Sequence, residues 1–121
     1  MKDRLAGLDF EQREGVLVAA IEGEIDSSNS AELRLALSDR LPSTSSALVL
    51  DLSQVTYLDS SGIHLLFDLG RRLAARRQAI RLVVPDSAPM RRVLELCAVD
   101  SVAPMDPTLE TALASIEPDP Y

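Results

Sequence analysis

Apolar residues run without interruption from Val16 to Ile21, are rich in β-branched types, and are bracketed by Gly15 and Gly23. A strand buried on both faces reads this way, because neither face has to meet water. Ahead of it, Leu8 to Arg13 alternates more, as an edge strand does, and Gly15 stands where a hairpin turn would join the two. After SSNS, Leu33, Leu37 and Leu41 recur every four residues. That spacing predicts one face of a helix, with Ser28 or Asn29 as its N-cap and Pro42 as its stop.

Leu48 to Leu52 is the next buried strand by the same reasoning. The segment SSGIHLLFDLGRRLAARR then puts Ile63, Leu66, Leu69 or Gly70, and Leu73 on one face of an amphipathic helix. Ile80 to Val84 is a third core strand, ended by Pro85. Ser87 is the expected cap of a helix, PMRRVLELC, whose inner stripe is Met90, Val93, Leu94 and Cys97. A short extended piece near Ser101 to Ala103 and a last helix from about Pro107 to Ile116 complete the pattern.

Strands that alternate with helical segments need crossover connections, which set successive strands parallel and right-handed. The expected fold class is therefore α/β (α+β): a small mixed sheet with an N-terminal hairpin as its antiparallel edge and about four packed helices. At 121 residues the chain is expected to be one domain over 1–121, with its core at about 8–116 and a short disordered tail, EPDPY. With 46% hydrophobic and 26% charged residues it has globular composition and enough length for a core without staples.

Composition narrows the function classes. Twelve Lys+Arg against nineteen Asp+Glu give a net charge of -7, which repels a phosphate backbone. Aromatic residues are 3% (Phe10, Tyr57, Phe67, Tyr121) and Trp is absent, so bases have no stacking platform. Nucleic acid is not an expected partner. Cys97 and His64 are each the sole residue of their type, which leaves no Cys/His set for structural zinc, and no acidic set has EF-hand spacing. The apolar run at 16–21 is too short to span a membrane, and MKDRLAGL lacks the apolar stretch of a secretory signal. A cytoplasmic protein with no metal, cofactor or membrane partner is expected.

The chemistry is concentrated in LVLDLSQVTYLDSSGIHLLFDLG, residues 48–70, where a buried strand passes through a polar turn into a helix. At Asp59-Ser60-Ser61-Gly62, two hydroxyls meet the free N–H groups and positive dipole end of that helix, and Gly62 removes bulk from its first turn. Such a place suits an anion. From these four residues alone the plainer reading is that Asp59 or Ser60 is simply the N-cap, since Asp and Ser are among the commonest caps.

The wider pattern bears on that choice. GEID at 23–26, LVLDLS at 48–53, YLDSSGI at 57–63, LVVP at 82–85 and RVLEL at 92–96 occur in that order. Together they resemble STAS domains of the anti-sigma factor antagonist type, over roughly residues 8–116. The resemblance implies a small mixed sheet with packed helices. It also implies a non-catalytic partner switch: the unphosphorylated antagonist captures an anti-sigma factor and frees the sigma factor. The anti-sigma factor is commonly a serine kinase that phosphorylates the antagonist, and a PP2C-type phosphatase reverses the reaction. By match to the motif, Ser60 is the phosphoacceptor, and Asp26, Asp59, Ser61 and Gly62 help form the partner-binding surface with it. The chain departs from the commoner pattern at Ile63-His64, where Leu followed by a small residue is usual, and this bears on partner identity. His64 is either a surface helix residue off the apolar face or a side chain that shapes which kinase docks.

Two alternatives follow. One keeps the fold without the switch, as a scaffold subunit of a signalling or transport complex. The other is a small-anion-binding or hydrolytic protein, suggested by the four-residue spacing of Ser60 and His64, although no GxSxG elbow surrounds Ser60. Arg71, Arg72, Arg76 and Arg77 gather at the far end of the same helix, where cations complement its dipole or offer a docking surface to an acidic partner. Cys97 is expected to be a small core hydrophobe.

Overall fold

The computed structural model describes residues 6–116; the tail EPDPY lies outside the described residues. The elements follow one another as β1 (Ala6–Arg13), β2 (Val16–Ile25), α1 (Ser30–Arg40), β3 (Ala47–Leu58), α2 (Ser60–Ala75), β4 (Ala79–Val83), α3 (Pro89–Leu96), a 3-10 turn at Val99–Ser101, β5 (Met105–Asp106) and α4 (Leu109–Ser115). The sheet order is β1-β2-β3-β4-β5. Only β1 is antiparallel to its neighbour; every later pair is parallel and joined through a helix or helical turn. This is the mixed sheet with an antiparallel N-terminal edge that the sequence predicts. Arg13 faces Val16 across a two-residue turn in which Glu14 and Gly15 both have positive φ, 47° and 85°. Two such residues make the primed hairpin turn whose twist matches that of the strands, and Gly15 adopts it without steric cost.

Apolar residues are contiguous in β2 and β3 because both faces of the sheet are covered. On one face Leu17, Ala19, Ile21, Leu48, Leu50 and Leu52 pack with Leu33 and Leu37 of α1 and with Leu65, Leu66, Leu69 and Leu73 of α2. On the other, Val16, Val18, Val49 and Val83 pack with Ala112 of α4. Fully burying one such leucine or valine contributes roughly 1.5–3 kcal/mol, so these stripes are what hold α1 and α2 to the sheet.

Four local expectations are corrected. β3 continues six residues beyond Leu52 to Leu58, paired there only with β2, because β4 stops at Val83 opposite Asp51. Ala88, not Ser87, occupies the N-cap of α3, and no side chain caps it. In α3 only Leu94 is buried; Met90 is half-buried, while Val93 and Cys97 are exposed, so the inner stripe is narrower than predicted and Cys97 is not a core residue. An eight-residue helix turns only about twice and presents few positions to the core. Finally, the extended piece lies at Met105–Asp106, after Ala98 in the left-handed region (φ 61°) starts a 3-10 turn through Ser101, and Thr108 caps α4.

Candidate functional site

Helix α2 starts where the parallel strands end. Ile25 and Leu58 are registered neighbours at the ends of β2 and β3, so Asp26 and Asp59 each follow directly on one member of that pair. The backbone N–H of Asp59 donates to Ile25 O at 3.2 Å, which holds the two strand ends together. Long sequence separation is thus cancelled by register.

Asp59 is the N-cap. Its backbone is extended (φ -101°, ψ -169°), and its Oδ1 accepts from the backbone N–H of Ser61 at 2.8 Å and of Gly62 at 3.2 Å. Those amides are two of the donors that a helix start leaves unpaired. One carboxylate therefore already supplies the negative charge that the helix end favours, which counts against a site for a free anion there. It also decides between the two cap candidates, since Ser60 stands at the first helical position instead. Ser60 is exposed, and its hydroxyl makes no hydrogen bond among the described residues. Ser61, one residue on, is half-buried.

Gly62 is buried beneath the strand ends. A Cβ there would lie 2.7 Å from Leu58 Cγ, 3.1 Å from Leu58 Cδ1 and 3.2 Å from Ile25 Cγ2. Only glycine lets the first turn of α2 sit this close to β2 and β3, and that approach fixes where Ser60 is presented.

Asp26 organises the neighbouring loop. Its Oδ1 accepts from the backbone N–H of Ser28 at 2.9 Å and from the Ser28 hydroxyl. Asn29, buried, accepts from the N–H of Asp26 at 3.0 Å and donates to Glu24 O at 2.8 Å. Asn29 does hold the N-cap position of α1, but its side chain faces back into the loop and does not cap the helix.

Beside this start runs a groove of about 470 Å³ between α1 and α2, lined by Ser30, Ala31, Arg34, Ser61, His64, Leu65 and Asp68. Arg34 Nε lies 3.8 Å from Asp68 Oδ2, and that buried oxygen accepts no hydrogen bond among the described residues. His64 is exposed on the groove wall and forms no hydrogen bond with Ser60, so the nucleophile–base arrangement is not assembled. The structure brings Asp59, Ser60, Ser61 and Gly62 together with Asp26 across the strand ends. Sequence reasoning missed Arg34 and Asp68; they meet only because α1 and α2 pack side by side, and the leucine spacing of α1 shows its buried face but not which helix lies beside it. Tyr57, two residues before Asp59, is 52% exposed, a large aromatic side chain offered to solvent beside the site.

Among the described residues no group of three or more His, Cys, Asp or Glu side chains is placed to hold a metal ion. No described helix is long and apolar enough to cross a membrane.

The family model described as STAS domain matches residues 8–112. The chain is 32% identical over 103 residues to the anti-sigma-F factor antagonist RsfB of Mycobacterium tuberculosis, covering 84% of this chain and 82% of that one. It is 25% identical over 112 residues to an anti-sigma F factor antagonist of Paenibacillus polymyxa, covering 91% and 94%. The crystal structure of an anti-sigma factor antagonist from Mycobacterium paratuberculosis superposes with a TM-score of 0.81 at 31% identity, over 92% of this chain and 93% of that one.

Proposed function

The chain belongs to the STAS domain family, and from that premise we propose that it works as an anti-sigma factor antagonist whose docking surface is switched by phosphorylation of Ser60. In the unphosphorylated state the surface formed by Asp26, Asp59, Ser60, Ser61 and Gly62 captures an anti-sigma factor and so releases a sigma factor. That anti-sigma factor is a serine kinase acting on Ser60, and a PP2C-type phosphatase restores the free hydroxyl. The chain itself is a cytoplasmic binding module and catalyses neither step.

The observation that carries this reading is the division of labour at the start of α2. Asp59 satisfies the helix amides, which leaves the adjacent Ser60 hydroxyl exposed and uncommitted. A hydroxyl needed as a cap would be costly to modify, whereas this one is available to a kinase without disturbing the helix. Ser61 is a poorer acceptor because it is half-buried on the groove wall. Incubating the protein with its cognate kinase and ATP, then mapping the phosphate by fragmentation, tests the assignment. One phosphate on Ser60 is expected; phosphate mainly on Ser61, or on the Ser27-Ser28 pair, would sink it.

A further inference from the structure

Arg71, Arg72, Arg76 and Arg77 at the end of α2 are all exposed, as is Arg40 at the end of α1. The two helix ends belong to one surface, because Gln78 Nε2 donates to Pro42 O at 3.0 Å and to Ser45 O at 2.9 Å, tying the loop after α2 to the loop after α1. Among the described residues, none of these five arginines forms a salt bridge. Arg40 and Arg71 instead lie over the rings of Phe10 and Phe67, at 4.3 Å and 5.7 Å from their centroids. Asp39, adjacent to Arg40, forms no salt bridge among the described residues, and Asp68, three residues before Arg71, faces Arg34 instead.

Local stability does not explain the cluster. The helix dipole favours a cation in the last turn, which accounts for Arg72. Arg76, the C-cap, is favoured by the same dipole but stands one turn from Arg72, a like charge that opposes it. Arg77 holds a left-handed backbone, φ 59°, in a helix end closed by Gln78 N–H to Leu73 O at 2.8 Å and Arg77 N–H to Ala74 O at 3.1 Å. That turn asks for glycine at position 77 and takes nothing from an arginine side chain. A like-charge pair one turn apart and an arginine held in the left-handed region, neither gaining a salt bridge among the described residues, point to a use outside the fold.

We propose that this arginine end of α2 is a docking surface for an acidic segment of a partner protein, separate from the surface around Ser60. The remaining cationic residues of the chain are far outnumbered by its nineteen acidic ones, so an extended polyanion meets repulsion everywhere else. A short acidic segment can engage these arginines without crossing the acidic remainder of the surface. Along α2 the patch begins at Arg71, roughly 16 Å from Ser60, beyond the roughly 8–10 Å over which exposed charges act at physiological salt. A phosphate on Ser60 therefore leaves this binding unchanged, and one chain can hold both partners.

A labelled short peptide of alternating Glu and Ser, titrated against the full chain by fluorescence anisotropy with amide chemical-shift mapping, tests the proposal. Shifts are expected at residues 71–77 and near Arg40. The R72Q/R76Q variant should bind at least about tenfold more weakly, and the phosphorylated chain as tightly as the unphosphorylated one. Arg77→Gly should raise Tm by roughly 2–4 °C while weakening the peptide, a pairing that a purely structural residue would not produce. Unchanged binding by R72Q/R76Q, shifts centred on Ser60, or tighter binding of a single-stranded oligonucleotide or an anionic vesicle than of the peptide would each overturn it. Loss of peptide binding on phosphorylation would overturn the separateness of the two surfaces while leaving the Ser60 switch standing.

Discussion

Asp59 and Ser60 are adjacent and both polar, yet their substitutions should separate cleanly. Asp59→Ala removes the acceptor for the Ser61 and Gly62 amides and should cost about 0.5–2 kcal/mol. Ser60→Ala removes a hydroxyl with no internal partner and should change stability by less than about 0.5 kcal/mol, while binding the anti-sigma factor constitutively. Urea unfolding of the two variants checks the first contrast; if Ser60→Ala abolishes partner binding in a folded protein, Ser60 is a contact residue and the switch fails. Gly62→Ala brings a methyl group to 2.7 Å from Leu58 Cγ and 3.2 Å from Ile25 Cγ2. It should cost about 1–3 kcal/mol by overpacking, and by lifting the first turn of α2 it should also weaken docking. At Asp59-Ser60-Ser61-Gly62 the cap was legible in the sequence because capping is local, whereas the contact that demands glycine at position 62 involves Ile25 of β2 as well as Leu58, and the proposed role of Ser60 comes from the family resemblance. Arg34 and Asp68 were not legible, since each is an ordinary charged residue until α1 and α2 pack.

At the scale of elements, the alternation of contiguous apolar runs with four-residue leucine spacing was enough to predict the order of strands and helices. It worked because β2 and β3 are buried on both faces and α1 and α2 each press one stripe on them. Pattern failed where burial is thin. The end of β3 is paired on one side only, and register shifts at Ala20/Glu22 and Gly23/Glu24 break the two-residue period there. α3 buries Leu94 alone, so its sequence promised a wider stripe than its packing uses. Gly70 supplies an element-scale test distinct from Gly62. A Cβ at 70 would lie 2.9 Å from both Val102 Cβ and the Val102 carbonyl oxygen, where α2 crosses the segment after the 3-10 turn. Backbone on the far side cannot rotate away, so Gly70→Ala should lower Tm by roughly 4 °C or more. Measured below its Tm, it should keep the affinity for the anti-sigma factor, because this crossing lies in the later part of α2, away from Ser60.

For the whole molecule, the question is whether phosphate on Ser60 acts on the fold or on the interface. Inside the chain the new group, carrying roughly -1.5 to -2 charges, sits at the positive end of the α2 dipole, a favourable position. Asp59 and Asp26 oppose it, but an exposed dianion is screened by water and salt. Arg34, the cation lining the adjacent groove, faces Asp68 at 3.8 Å. The net effect on folding should be small, of order 1 kcal/mol, which moves a domain of this size by roughly 4 °C. Docking at the proposed surface is different: there the dianion would have to lose its water beside Asp26 and Asp59, and an uncompensated buried charge costs several kcal/mol. Tm is therefore expected to shift by only a few degrees on phosphorylation, while affinity for the anti-sigma factor falls at least about a hundredfold, or roughly 2.7 kcal/mol. Calorimetric unfolding and titration of both forms measure the two quantities on the same samples. A phosphorylated chain that no longer folds would move control from the interface to the domain, and an unchanged affinity would remove it from Ser60 altogether.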